Sequence, residues 1–238
     1  MKQYFADFID DLRSTHGKNL ASVILYGAAA AGTFVPKRSD YNILIALHKI
    51  GPEDLRNAHA AMREWHRMGN RLPVYFTVSE LQNAGDVFPI EFSQMDAARK
   101  VLYGKDVLAG LEFSDQNLRH ETEYELRSNL IRLRRRYIAA STSVERLKEL
   151  MAESISGLAS IFRAVLILHG INPPSDYREI AAATAQNLKI DGTPFEKIFN
   201  IRENNFTVTL DEKSANDLFG EYMEQIENVI NAVDSMEK

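Results

Sequence analysis

The stretch LYGAAAAGTFVPKRSDYNILIAL places Gly27 and Ala28 at the end of one apolar run and Ser39, Asp40 and Asn42 at the start of the next. A glycine at a strand end lets the backbone come close to a phosphate. Two side chains separated by one residue on a strand point to the same side, so Asp40 and Asn42 would aim their oxygens together. Oxygen donors of that kind are what Mg²⁺ prefers. Lys37 lies between the two ends, beside Arg38, where a cation can meet a phosphate oxygen. The set reads as a place for a phosphate and a metal ion. Each residue also has a plainer reading. Gly27 and its alanines suit close packing of helix on strand, Ser39-Asp40 suits a turn, and basic residues in a loop suit a solvated surface. Asn42 differs, because an amide on a buried strand needs hydrogen-bond partners.

The elements that would position these residues follow from hydrophobic spacing. Residues 2–15 carry Tyr4, Phe5, Phe8, Ile9 and Leu12 at helical intervals, and His16-Gly17-Lys18 ends the run. ASVILYG predicts a strand, and YNILIAL a second one, apolar enough to be buried on both faces. Residues 52–68 predict a helix with Leu55, Ala58, Met62, Trp65 and Met68 on one side, Trp65 in the core and His66 on the surface. LPVYFTV predicts a third strand, Glu80 to Asn83 a short helix or turn, and FPIEF at 88–92 a fourth extended segment. Residues 97–103 fit helix or strand. After Gly104 the pattern becomes helical. Leu126, Leu130, Leu133 and Tyr137 form one apolar stripe, and residues 144–169 form a second helix ended by Gly170 and Pro173-Pro174. Shorter helices are predicted at about 176–189 and 194–203, and a last one at about 212–235. The chain therefore divides into an α/β domain, residues 1–110, and a helical bundle domain, residues 111–238.

Composition narrows the chemistry further. The 238 residues are 45% hydrophobic and 26% charged, ordinary for a globular protein. A net charge of −5 argues against a dedicated binder of duplex nucleic acid. Without any cysteine, disulfides, thiolate nucleophiles and cysteine-bound zinc are excluded. MKQYFADFIDDL carries acids within an amphipathic pattern, unlike a signal or transit peptide. No apolar run looks long enough to span a membrane, so a cytoplasmic location without membrane partners is expected.

Strand, Gly-small, the eleven residues Ala29 to Ser39, and then Asp-x-Asn opening a second strand together resemble the nucleotidyltransferase superfamily. That superfamily includes DNA polymerase β and the antibiotic nucleotidyltransferases. FPIEF, VLYGKDVL, ELRSNLIRLRRRYI and IFRAVLILHG extend the resemblance, which spans most of the chain. It implies an α+β fold: a small mixed β-sheet nucleotidyltransferase domain followed by an all-helical bundle. The implied activity moves a nucleoside monophosphate from ATP or another NTP, with Mg²⁺, to a hydroxyl on a small-molecule or protein acceptor. Gly27, Ala28, Ser39 and Lys37 would hold the phosphates, and Asp40 and Asn42 the metal. Compared with the family, Ala28 replaces a hydroxyl residue and Asn42 a second carboxylate. The strand that should bring a third carboxylate offers only Val74, Tyr75 and Phe76. Glu80 and Glu91 are the nearest substitutes, with Glu91 as the catalytic base beside Asp40. These replacements leave a second reading open, a non-catalytic nucleotide-binding or interaction protein on the same fold. A homo-oligomer is compatible with either.

Two further clusters fall in the helical half. Arg132 and Arg136 share a helix face and could reach an anion, or simply be solvated and paired with Glu121, Glu123 and Glu125. Arg163 and His169 resemble the Arg-x(4–6)-His pair of HEPN domains, which implies an RNA-cleaving bundle. Ala164 stands where that family usually has a polar residue, and His169 next to Gly170 also suits a plain helix end.

Overall fold

A computed structural model describes residues 2–32, 41–83, 85–111, 114–203 and 208–237. The chain forms two compact units, Met1–Ser114 and Asp115–Lys238. The first is built on a mixed four-stranded sheet in the order β3-β2-β1-β4, with β1 Leu20–Tyr26, β2 Asn42–Leu47, β3 Val74–Thr77 and β4 Arg99–Gly104. β1 runs antiparallel to β2 and β4, while β2 and β3 are parallel, with Leu44 opposite Val74. This is the α+β arrangement the sequence implies.

Both faces of the sheet are covered, which is why β2 is apolar almost throughout. On one face Val23, Leu25, Ile43, Ile45 and Leu47 pack with Phe5, Phe8 and Leu12 of α1, Lys2–His16, and with Trp65. On the other, Ile24, Leu44 and Ala46 pack with Leu81, Phe92, Met95 and Leu108. Odd and even residues of β2 thus serve opposite cores, as a period of two requires. β4 closes the edge beside β1. Its last residue, Gly104, has φ +77°, and a Cβ there would come within 2.0 Å of the Ala21 carbonyl oxygen, so no other residue fits. The ambiguous tract at 97–103 is the end of α6 at Ala97 and, from Arg99, this strand.

Two predicted elements change. FPIEF is not extended: α6 spans Pro89–Ala97, with Pro89 in its first turn. The in-out-in order of Ile90, Glu91 and Phe92 imitates a strand over three residues. Ser93 and Met95 are also buried, which marks a helical face. The single helix expected over 52–68 is two, α3 Pro52–Asn57 and α4 His59–Arg67. Asp54 caps the first by accepting from the Gly51 N–H at 2.8 Å, and its other oxygen accepts from Asn19 at 2.9 Å. That short segment turns Leu55 outward, and Met68 at the far end is exposed as well. Trp65 is fully buried and His66 exposed. α2 Ala28–Ala31 and α5 Val78–Asn83 complete the unit among the described residues.

The second unit packs α7 Asp115–Ala140, α8 Val144–Leu168, α9 Tyr177–Leu188, α10 Thr193–Glu203 and α11 Glu212–Asp234 around one apolar core. Ser143, Asp176 and Asp211 cap α8, α9 and α11 by accepting from first-turn N–H groups. By length and a mean hydropathy of 1.6, α8 is apolar enough to cross a membrane, contrary to the sequence expectation. Its burial explains the composition: Leu147, Met151, Ile155, Leu158, Phe162 and Val165 are all core residues. The arginines of α7 spend their charge differently than expected. Glu123 pairs with Arg119 and Arg127, whereas Arg134 pairs with Glu227 on α11 and Arg136 with Glu153 on α8.

His16 ends α1 as a buried imidazole, its Nε2 3.4 Å from the Tyr75 hydroxyl and its ring edge-on to Tyr75. Its pKa lies below the ordinary value because burial disfavours the cation, with the Asp54 charge opposing in part. The unfolded chain therefore binds a proton before the folded one does. Stability is complete above the unfolded histidine pKa and falls as the pH drops below it. Urea titrations between about pH 7.5 and 5.5, spanning the unperturbed pKa, should show this loss in the wild type and a flatter profile in His16→Phe. Equal slopes in the two proteins would rule the effect out.

Candidate active site

β1 ends at Tyr26, and Gly27 turns the chain with φ +74°. The Gly27 N–H donates to the Ala98 carbonyl at 2.9 Å, and its own carbonyl accepts from Ala30 and Ala31 at 2.9 and 3.0 Å. These bonds open α2, which is a single turn of four residues. One turn carries little of the N-terminal dipole that the resemblance implies for phosphate binding. Asn42 begins β2 directly opposite Tyr26. A Cβ on Gly27 would lie 3.1 Å from the Asn42 amide nitrogen, so the glycine makes room for this side chain. The sequence reading reserved that space for phosphate.

Tyr41 decides which way Asn42 points. Its ring sits edge-on to Phe5, centroids 5.2 Å apart, and near Trp65 at 6.4 Å, in the core beneath the sheet. Alternation then sends Asn42 to the opposite face, the one covered by α6. Tyr26 belongs to that face as well. Its hydroxyl pKa is pushed up to about 12, first by burial and then by the charge of Glu91, while the charge of Arg71 opposes. Glu91, expected on a strand, lies instead in the first turn of α6, and its charge acts on the Tyr26 hydroxyl. Arg71 was not singled out in the sequence. Its signal is its place just before a strand parallel to β2.

Other expected participants are committed elsewhere. The Glu80 carboxylate accepts from the Thr77 N–H at 2.6 Å and the Thr77 hydroxyl at 2.9 Å, while the Glu80 N–H donates to that hydroxyl. This is a helix cap for α5, legible as Thr-x-x-Glu. On β3, Tyr75 meets His16, and Phe76 packs against Phe88 and Phe92. Asp40, Ser39 and Lys37 lie outside the described residues, and of Ala28 only the backbone is described. In the second unit, Arg163 is half-buried and donates to the Ser175 carbonyl at 3.4 Å, with its pKa lowered by burial. His169 is the exposed cap residue of α8.

No group of three or more histidine, aspartate or glutamate side chains gathers among the described residues. β2 itself carries one amide, Asn42, and no acid, and β3 carries no acid either. The Asn42 amide nitrogen lies beside the Gly27 turn. Of the expected metal ligands only Asn42 lies among the described residues.

Mixed sheet, glycine turn, Asx at the mouth of β2 and a following helical unit define the nucleotidyltransferase class of fold. Among solved structures, the chain is similar to the spectinomycin adenyltransferase AAD(9) from Enterococcus faecialis, determined with ATP and spectinomycin. The TM-score is 0.60 at 11% identity, over 95% of this chain and 99% of that one. No protein-family model matches the chain, and no curated protein matches it by sequence.

Gly27→Ala should lower the unfolding free energy by about 1–2 kcal/mol through backbone strain, with crowding of the Asn42 amide added. Adding Asn42→Ala should recover the crowding part only. Urea denaturation of the three proteins checks this, and a Gly27→Ala variant as stable as wild type would refute it.

Proposed function

We propose that this protein binds a nucleoside triphosphate, ATP in the first instance, at the Gly27 end of the sheet and transfers its nucleoside monophosphate to a hydroxyl acceptor. The observation that carries the reading is the meeting of the Gly27 turn and Asn42 at one end of a nucleotidyltransferase-type sheet, where the Tyr26 hydroxyl feels the charge of Glu91. In the reaction, the acceptor oxygen attacks the α-phosphorus and gives its proton to the Glu91 carboxylate. The bond from the α-phosphorus to the bridging oxygen breaks, and pyrophosphate leaves. The Gly27 turn and Asn42 hold the phosphates, and the resemblance adds Ser39 and Lys37 to that role and Asp40 to the chemistry. The neighbour's ATP and antibiotic support a nucleotide and a small molecule as the two partners.

A second reading, nucleotide binding without transfer, is favoured by the neutral Asn42 amide and by the acid-free β3. ATP labelled at the α-phosphate, offered with hydroxyl acceptors, separates the two. Glu91→Gln and Asp40→Asn should each abolish label transfer, a loss of about 10²-fold or more for a general base, while Glu91→Gln keeps ATP binding. Wild-type protein that binds ATP but labels nothing would leave the second reading. Undiminished labelling by Glu91→Gln would remove Glu91 from the chemistry.

A further inference from the structure

The helical unit is not filled between α9 and α10. A groove of about 590 Å³ opens there, and every residue that lines it belongs to the second unit. Its cause is local. α9 gives the groove Ala181, Ala182 and Ala185, whose side chains end at Cβ, so space that a larger residue would fill stays open. The groove bottoms on the bundle core: Ala181, Ala185, Phe195 and Phe199 line it yet are no more than 4% exposed. Ile190 and Gly192, in the link between the helices, line it as well. A Cβ on Gly192 would come within 3.1 Å of the Ala185 Cβ, so the link lies tight against α9. A pocket of this volume with apolar walls suits a small organic molecule.

The rim sets the sign of that molecule's charge. Arg178, Glu179 and Glu196 are the charged side chains that line the groove. The Arg178 guanidinium is already engaged. It donates to Glu203 at 2.9 and 3.3 Å and to Asn200 at 2.9 Å, and it lies over the Phe199 ring, 5.6 Å from the centroid. Among the described residues, no hydrogen bond or ion pair engages the carboxylate of Glu179 or of Glu196. Each stands in the first turn of its helix, where an acid suits the dipole. The dipole does not account for both lining one apolar groove. A cation with an apolar body meets two unpaired acids there, whereas an anion meets two like charges and an arginine that has its partners. We propose that the α9–α10 groove binds a small organic ammonium ion with an aromatic or alkyl body. The body rests against Ala182, Ile190 and the two phenylalanines, and Glu179 and Glu196 hold the ammonium group. The site is independent of nucleotide binding and transfer.

Three probes that share one body and differ in charge test it: phenylbutylammonium, phenylbutanol and phenylbutyrate. Each is titrated into the whole chain, and binding is read from backbone amide shifts by NMR. The ammonium probe should bind about fivefold tighter than the alcohol, as two partly exposed charge contacts allow, and phenylbutyrate should bind weakest. The shifts should gather on α9 and α10. Glu179→Gln combined with Glu196→Gln should bring the ammonium probe down to the affinity of the alcohol. Ala182→Phe should abolish binding of all three by filling the groove, and Ala182 is exposed, so the added ring does not enter the core. Far-UV circular dichroism shows whether each variant is folded. Should Ala182→Phe not fold, the glutamine pair, which leaves every core residue in place, still decides. Absence of ammonium binding, equal binding of the three probes, or unchanged affinity in the glutamine pair would overturn the proposal. So would shifts that gather outside α9 and α10.

Discussion

The buried indole of Trp65 is the contact on which the candidate site depends. It stacks on Phe8 with ring centroids 4.2 Å apart, lies near Phe5 and Tyr41, and donates its N–H to the Arg71 carbonyl. One side chain thereby ties α1, α4, the mouth of β2 and the approach to β3. Aromatic pairs of this kind contribute about 0.5–1.5 kcal/mol each beyond the area they bury, and here they also set direction. Tyr41 is held beneath the sheet, so Asn42 must face the other way. Arg71 is held by its carbonyl, so its side chain starts from a fixed point. A core contact with no polar role at the site sets the direction of Asn42.

Gly27 and Asn42 behave as one unit. The turn needs φ +74°, which favours glycine, and the missing Cβ leaves the space the amide approaches. In a site built for a metal ion the same geometry would bring a carboxylate to the phosphates. The fold is of the nucleotidyltransferase type.

The helical unit is organised by its own core. Tyr222 is fully buried, its hydroxyl 3.1 Å from that of Ser154, and burial holds its pKa above the ordinary value. The α7 arginines pair with Glu153 and Glu227 on neighbouring helices. Half-exposed pairs of this sort contribute little to stability, but they account for charges that looked available for a ligand. Arg163, likewise, serves a carbonyl at the end of its own bundle.

Much of the fold was legible because burial on both faces demands uninterrupted apolar residues. β2, α8 and α11 could hardly be read otherwise, and the glycine-to-Asx stretch marked the passage from β1 to β2. Short elements were less legible. FPIEF alternates for three residues in a way that a strand and the first turn of a helix share, and only packing of Ser93 and Met95 beside Phe92 separates them. The role of Glu80 was visible as Thr-x-x-Glu, yet capping and catalysis call for the same carboxylate, and the bonds to Thr77 decide between them. By itself the amino-acid sequence determined the residue types at the mouth of β2 and the change from strand pattern to helical pattern. Only the tertiary structure set Tyr26 opposite Asn42 and packed α6, which carries Glu91, on the same sheet face. Their separation along the chain is bridged by strand register and by one buried indole, and neither leaves a local pattern to read.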